Sequence, residues 1–455
     1  MSHSNAVPSP ETARTPEEFV RLLRRLRAWS ELTYRELEVR AQRHGLHLAR
    51  STTAAVLGRG ALPRAGFVHA YVAACGLTPE PWLGARRRIA AAADTPDAPH
   101  PVPAVVPAQL PSDLADFTGR EAELASIEAG LTATDATAPG VVPLVAVSGR
   151  AGVGKTALAV HAAHALTERF TNGTLFVDLR GASGTPAEPR DVLVRFLNAL
   201  GLPGATPVPD SVEELATLYR TLSAHRDILV VLDNAASERQ IRPLLPGVGG
   251  PVVLVTSRHR LTSTVPSRSV ELEPLPAEQG VELLARIAGA DRVTAEPDAA
   301  ADLVRLCDGC PLALRVAGAR LACRRQWPLD RLAGMLRDER RRLDELAIGD
   351  LAVRACLEQE YAALPDAARR TFRMLGLLAA PRFPATAAAS LLDCPADLAD
   401  THLEPLVDAG LLTAVPGEDG DATTTYRVPD LVRLYARERA TAERSAAWHP
   451  ALTGG

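Results

Sequence analysis

The sequence almost lacks lysine. Of its 50 lysine and arginine residues in 455, 49 are arginine and one is Lys155. Cysteine is also scarce: six residues, Cys75, Cys307, Cys310, Cys323, Cys356 and Cys394, are too few and too scattered to staple a chain of this length, which points to a reducing compartment without disulfides. No apolar run reaches the roughly 18 residues a membrane span needs, and the polar start MSHSNAVPSPETART carries no hydrophobic signal segment, so a cytoplasmic location without membrane contact is expected. A large excess of one charge is missing too. The formal net charge of −4 argues against a globally basic nucleic-acid coat. The average hides a local excess, because residues Arg14 to Arg64 hold eleven arginines against five glutamates and no aspartate.

In an arginine-biased background a surviving lysine is informative. Lys155 lies in Gly149-Arg-Ala-Gly152-Val153-Gly154-Lys155-Thr156-Ala157, which fits G-x-x-x-x-G-K-[ST]. The run VVPLVAVS before it reads as a buried strand and TALAVHAAHAL after it as a helix. Strand, glycine loop and helix in this order aim backbone N–H groups and a helix N-terminus at a phosphate chain. Lys155 would bring a compact ammonium to the β- and γ-phosphates, where a planar guanidinium is too bulky. Thr156 would supply a hydroxyl to Mg²⁺. The expected ligands are ATP or ADP with Mg²⁺.

The segment DILVVLDNA, residues 227–235, is an apolar run ending in an acid, so Asp233 is expected to hold Mg²⁺ through water. Asn234 follows, where a water-activating carboxylate often sits in such ATPases. An amide is no base, so the expectation is at most a slow ATPase. PVVLVTSRHR reads as a third strand, and Arg258 at its tip could read the γ-phosphate and distinguish ATP from ADP. With TLFVDLRG, residues 174–181, as a further strand, alternating strands and helices predict a parallel α/β sheet with its ligand at the carboxyl ends. Lys155, Asp233 and Arg258 are the candidate catalytic residues.

The order FTGRE (117–121), P-loop, LVVLDNA, VLVTSR and DGCPLAL (308–314) resembles the NB-ARC module of the STAND class of signalling ATPases, shared by plant disease-resistance proteins, the apoptosome scaffold and many actinobacterial transcriptional regulators. The resemblance covers roughly residues 113–440. It implies that Phe117, Thr118 and Arg120 lie near adenine and ribose, and that Pro311 with Leu312 closes the base pocket. Cys307 and Cys310 form a Cys-x-x-Cys, but no second pair is near, and both read as buried small hydrophobes. The family's Met-His-Asp signature is replaced here by Val428, Pro429 and Asp430. Proline cannot make the histidine's contact to the ADP β-phosphate, which implies a weaker ADP-locked state or a shifted alignment.

Period-3.6 segments between 277 and 323 predict a helical bundle, and helices followed by a short hairpin and a last helix give a winged-helix-like order after residue 346. The basic N-terminal part reads as five short helices in which the second, opened by the capping-box pattern Thr33-x-x-Glu36, and the third fit a helix-turn-helix. It resembles the small Xre/Cro-type domain of actinobacterial regulators. That resemblance implies base or phosphate contacts from Arg50, Ser51, Thr52 and Thr53, with Arg35, Arg40, Arg43 and Arg59 nearer the backbone of double-stranded DNA.

The expected organisation is a tail (1–15), an all-α helix-turn-helix head (16–90), a Pro-rich linker (91–112), an α/β parallel-sheet P-loop domain (113–268), a helical bundle (269–345), a winged-helix domain (346–440) and a tail (441–455). The family's usual array of sensor repeats has no counterpart before Gly455. The reading is an ATP/ADP-switched transcriptional regulator that binds DNA through its N-terminal domain, with self-association on ATP binding as a further expectation. The rivals are a catalytic NTPase whose turnover is the output, and a nucleotide-dependent signalling or defence scaffold that does not bind DNA.

Overall fold

The structure is a computed structural model and describes residues 7–58, 62–94, 106–132, 141–181, 185–202, 208–261, 268–378, 380–415 and 424–448. The chain divides into two compact units, residues 1–104 and 105–455.

The first unit holds helices α1 (Pro16–Ser30), α2 (Tyr34–Arg43), α3 (Arg50–Gly58), α4 (Ala65–Ala74) and α5 (Glu80–Asp94). Local chemistry sets their starts. Thr15 Oγ1 accepts from the Glu18 N–H with Pro16 in the first turn of α1, and Thr33 and Glu36 form a reciprocal capping box on α2. Phe19, Leu23, Leu26, Leu37, Tyr71 and Trp82 close one apolar core. Buried Tyr71 donates its hydroxyl to the Leu23 carbonyl at 3.1 Å, as a phenol inside a core requires. The N-terminal boundary differs from the expected one: Pro10–Thr12 forms a 3₁₀ turn capped by Ser9, and Ala13 is buried in this core, so the supposed tail packs as part of the unit. The α5 helix also runs four residues past the expected end at 90.

The second unit is built on a parallel sheet of β1 (Leu144–Gly149), β2 (Thr174–Asp178), β3 (Leu229–Ala235), β4 (Val252–Ser257) and β5 (Arg268–Leu272) in the order β2-β3-β4-β1-β5. The central strands are buried along almost their full length, as helices on both faces demand. Those helices include α6 (Glu121–Thr132), α7 (Lys155–Ala165), α8 (Pro189–Ala199), α9 (Val212–Ser223) and the short α10 (Glu238–Ile241). Two boundaries shift. β5 pairs with β1 from Val145↔Arg268 to Gly149↔Leu272, so the sheet crosses the division expected at 268. The end of the expected linker also joins the sheet: the Thr174 N–H donates to the Pro107 carbonyl at 2.7 Å and the Gln109 N–H to the Thr174 carbonyl at 3.2 Å, which covers the free edge of β2.

Helices α11 (Ala277–Ala288), α12 (Ala290–Ala295), α13 (Pro297–Leu306), α14 (Pro311–Cys323), α15 (Leu329–Arg337) and α16 (Arg342–Glu345) follow, then a two-stranded ribbon of β6 (Ala347–Ile348) and β7 (Leu351–Ala352). The chain continues through α17 (Val353–Ala363), α18 (Asp366–Leu375), β8 (Arg382–Pro384), α19 (Ala385–Leu392), α20 (Ala396–Asp408), β9 (Thr413–Val415), β10 (Thr425–Arg427) and α21 (Asp430–Trp448), with an antiparallel sheet ordered β8-β10-β9. One apolar core joins Leu284, Leu303, Leu314 and Leu346 to Leu357, Phe372 and Tyr435, so the division expected at 345 does not separate two cores. The α21 helix runs through Trp448, past the expected end at 440.

At Gly376 a Cβ would lie 2.5 Å from backbone atoms of Ala436 and Arg437, because α18 and α21 touch there. Gly376→Val is expected to cost about 2–4 kcal/mol and to lower the thermal unfolding midpoint followed by circular dichroism.

Candidate functional site

The P-loop connects β1 to α7. Gly149, Gly152 and Gly154 have φ of 145°, 76° and 97°, conformations that a side chain would resist. At Gly152 a Cβ would also lie 3.1 Å from Cys310 Sγ and 3.2 Å from Leu312 Cβ, so the glycine lets the loop touch the start of α14. The Leu312 N–H donates to the Gly152 carbonyl at 3.2 Å. No side chain caps the N-terminus of α7, which leaves its first N–H groups to an anion. Lys155 Nζ donates to the carbonyls of Gly149 at 2.7 Å and Arg150 at 3.0 Å. Burial pushes its ammonium down to about 8, against the opposing field of the Glu360 carboxylate.

Asp233 closes β3 and is 5% exposed. Thr156 Oγ1 donates to its carboxylate at 2.9 Å and Thr256 Oγ1 at 2.6 Å. Burial raises its carboxyl above the usual range, and the two hydroxyls oppose that rise. A buried carboxylate beside a hydroxyl at the mouth of an anion cradle suits a hard divalent cation that keeps several waters, so Thr156 and Asp233 could hold Mg²⁺.

A cavity of about 720 Å³ is lined by Phe117, Thr118, Arg120, Gly152 to Leu158, Asp178, Asp233, Asn234, Arg258, Pro311, Leu312 and Arg315, with Cys356 and Gln359 of α17. That is the size range of nucleotide-holding clefts. Phe117 stacks on His161 with centroids 4.0 Å apart, and His161 Nδ1 lies 2.9 Å from Asp113. Thr118 Oγ1 donates to the Asp116 carbonyl at 3.0 Å. Arg120, expected near adenine and ribose, borders the cavity but spends its guanidinium on Glu123 at 2.8 Å and on the Glu273 carbonyl, so it braces the wall.

Arg258 leaves the end of β4 and pairs with Glu360 of α17 at 2.8 Å, with the side chains 12% and 3% exposed. Arg150 pairs with Asp308 at 2.8 Å, and Asp308 also meets Arg427 at 3.2 Å. His259 Nδ1 lies 2.9 Å from the Asp408 carbonyl, and Gly410 packs against Arg150 so closely that a Cβ would lie 3.0 Å from its Cα. Helix α17 and the C-terminal end of α20 are thus held against the P-loop and the tip of β4.

Sequence reasoning missed Glu360, Asp308 and Asp178. Glu360, an acid inside helix α17, reads as solvated, and nothing in its spacing marks a buried pair. Asp178 ends β2 opposite Asp233 and accepts from the Asn234 amide at 3.2 Å. A carboxylate therefore stands at the cavity wall, one strand away from the position expected for it. Cys307 and Cys310 are buried, Cys310 Sγ lies 3.5 Å from the Gly152 carbonyl, and no metal-ligating cluster occurs among the described residues. Val428 donates its N–H to the Pro381 carbonyl at 2.8 Å, Pro429 is buried, and Asp430 lies 3.9 Å from Arg342.

In the N-terminal unit Arg35, Arg40, Arg43, Arg50 and Thr52 are exposed on α2 and α3. Thr53 is 1% exposed and donates to the Ala49 carbonyl at 2.9 Å, so it faces the core and is not placed for the base or phosphate contact expected of it. Ser51 falls on α3, and Arg59 lies outside the described residues.

A family model described as an AAA domain matches residues 143–239, which implies nucleotide binding. The chain is 48% identical over 340 residues to the regulatory protein AfsR of Streptomyces griseus, covering 74% of this chain and 34% of that protein. It is 46% identical over 342 residues to AfsR of Streptomyces coelicolor, covering 74% and 33%. The chain therefore spans about a third of the length of these relatives. A Walker-type ATPase of Pyrococcus abyssi, 17% identical, superposes with a TM-score of 0.50 over 73% of this chain and 99% of its own, which shows the shared fold. The chain carries a P-loop ATPase-type α/β domain, and its similarity is to regulatory proteins.

Proposed function

We propose that this chain is a nucleotide-switched transcriptional regulator: its NB-ARC-like module, comprising P-loop domain, helical bundle and winged-helix-like segment, binds ATP or ADP with Mg²⁺, and its helix-turn-helix-like N-terminal unit binds double-stranded DNA. One observation carries the switch. The cavity that Lys155, Thr156 and Asp233 face is walled on its other side by Pro311, Leu312, Cys356 and Gln359. Its occupant bears directly on the placement of α14 and α17. Lys155 would neutralise the phosphate chain, the amides opening α7 would hold it, and Asp233 with Thr156 would seat a cation; a bound Mg²⁺ supplies the charge that draws phosphate oxygens together.

The DNA half is supported by the exposed arginines of α2 and α3 and by the excess of arginine in residues 14–64. The full chain is expected to bind duplex DNA with an affinity that falls steeply with salt, by about 0.9 log unit per tenfold salt for each phosphate contacted. Arg40→Ala should lower that slope by about 1 for all sequences alike. Gel shifts at several salt concentrations test both, and no shift on any duplex at low salt would remove the DNA-binding half.

A second reading, a catalytic NTPase whose turnover is the output, is favoured by Asp178 beside Asn234. The switch reading expects single-turnover hydrolysis on the order of 10⁻² s⁻¹ or slower. Quench-flow rates of many per second, lost in Asp178→Asn, would favour the enzyme instead.

A further inference from the structure

We infer that Glu360 occupies on Arg258 the place that the terminal phosphate of a nucleoside triphosphate would take, and that this carboxylate gives the cavity its preference for a diphosphate. The inference rests on the nucleotide-switch reading above.

Arg258 is the arginine at the tip of β4, beside the P-loop strand β1. Its Nη1 lies 2.8 Å from Glu360 Oε2, and both side chains are almost fully buried. The other oxygen, Oε1, is buried without a hydrogen-bond partner. A carboxylate so placed is unusual, because an ionised group cut off from water needs its lone pairs satisfied. Glu360 has one ion-pair partner, Arg258, and the field of Lys155 around it. Burial raises its carboxyl above the usual range while Arg258 and Lys155 pull it down. Its neighbours Cys356 and Gln359 on α17 line the same cavity as Lys155, Thr156 and Arg258. Glu360 itself lines a small adjoining cavity with Arg150, Ala151 and Gly152 of the P-loop, so its negative charge stands behind that wall, on the far side of the Arg258 guanidinium that the end of a phosphate chain would approach.

A diphosphate held by the α7 amides and Lys155 leaves the Arg258–Glu360 pair intact. A third phosphate adds an anion that competes for the same guanidinium and repels the carboxylate across a poorly solvated gap. When Arg258 turns to that phosphate, Glu360 loses its ion-pair partner and keeps the weaker field of Lys155. A buried carboxylate without its ion pair is strongly destabilising, and withdrawal of α17 relieves it. A triphosphate then works against this contact each time it binds.

The test is calorimetric titration of the full chain with Mg²⁺-ADP and with Mg²⁺ and a non-hydrolysable ATP analogue. Glu360→Gln keeps the shape and removes the charge, and it is expected to raise affinity for the triphosphate by about tenfold or more while ADP affinity changes less than about threefold. Wild-type protein supplies a second readout that does not depend on the variant's folding. Backbone amides of residues 353–363 should exchange hydrogen at least about tenfold faster with the triphosphate analogue than with ADP. An unchanged ratio of the two affinities in Glu360→Gln, or equal protection of α17 in the two nucleotide states, overturns the inference. Failure of wild-type protein to bind either nucleotide is a separate result, and it removes the nucleotide reading itself.

Discussion

Lys155→Ala is expected to lower affinity for ADP and ATP by at least about 100-fold without unfolding the chain. The ammonium is held only by two loop carbonyls, those of Gly149 and Arg150, and burial has already pushed it down to about 8. Removing it gives up two hydrogen bonds but also relieves a desolvated charge, so the unfolding midpoint should move by no more than about 4 °C. For a phosphate chain the loss is much larger, because no other lysine exists in the sequence and Arg258, which lines the same cavity, is occupied by Glu360. Lys155→Arg should fail as well, since the guanidinium is planar and wider than the point charge that the loop encloses. Titration calorimetry with circular dichroism of the same samples checks the claim, and unchanged ADP affinity would sink the P-loop assignment.

Asp233→Asn is expected to remove most of the Mg²⁺ dependence of nucleotide binding and to lower single-turnover hydrolysis by about 10³-fold. An amide at this position still accepts from Thr156 and Thr256, so the local framework stays, whereas the charge that would hold the cation is gone. The same change should not weaken the fold. The wild-type carboxyl is raised by burial, which means that its charge costs more inside the protein than in the unfolded chain. In EDTA the variant should therefore melt at the wild-type temperature or about 2–4 °C above it. A fall in the midpoint would show that the Asp233 charge stabilises the structure rather than serving a ligand.

What could be read from sequence follows the range of the interactions. The P-loop is local: strand, glycines, lysine and helix are contiguous, and each glycine has a positive φ that explains its identity. Asp233 was legible because a buried parallel strand is an unbroken apolar run that ends at its ligand. β5 was not, since RSVEL alternates and is only five residues long, too little to distinguish an edge strand from a connection. The partner of Arg258 comes from a helix late in the chain, and no spacing rule links the two. Thr53 shows the limit of assigning a helix face without its packing. It looks like its neighbours Ser51 and Thr52 in the sequence, yet α3 turns it toward the core. Pro107 joined a sheet edge although its surroundings read as a linker, because an open β2 edge accepts any extended segment that reaches it.

The central claim is that the occupant of the P-loop cavity governs what the regulator does on DNA. The most direct measurement is the affinity of the full chain for duplex DNA, by fluorescence anisotropy at one fixed salt concentration, with saturating ADP and with a non-hydrolysable ATP analogue. The account predicts at least about a tenfold difference between the two states, absent in Lys155→Ala. Equal affinity in both nucleotide states would contradict it.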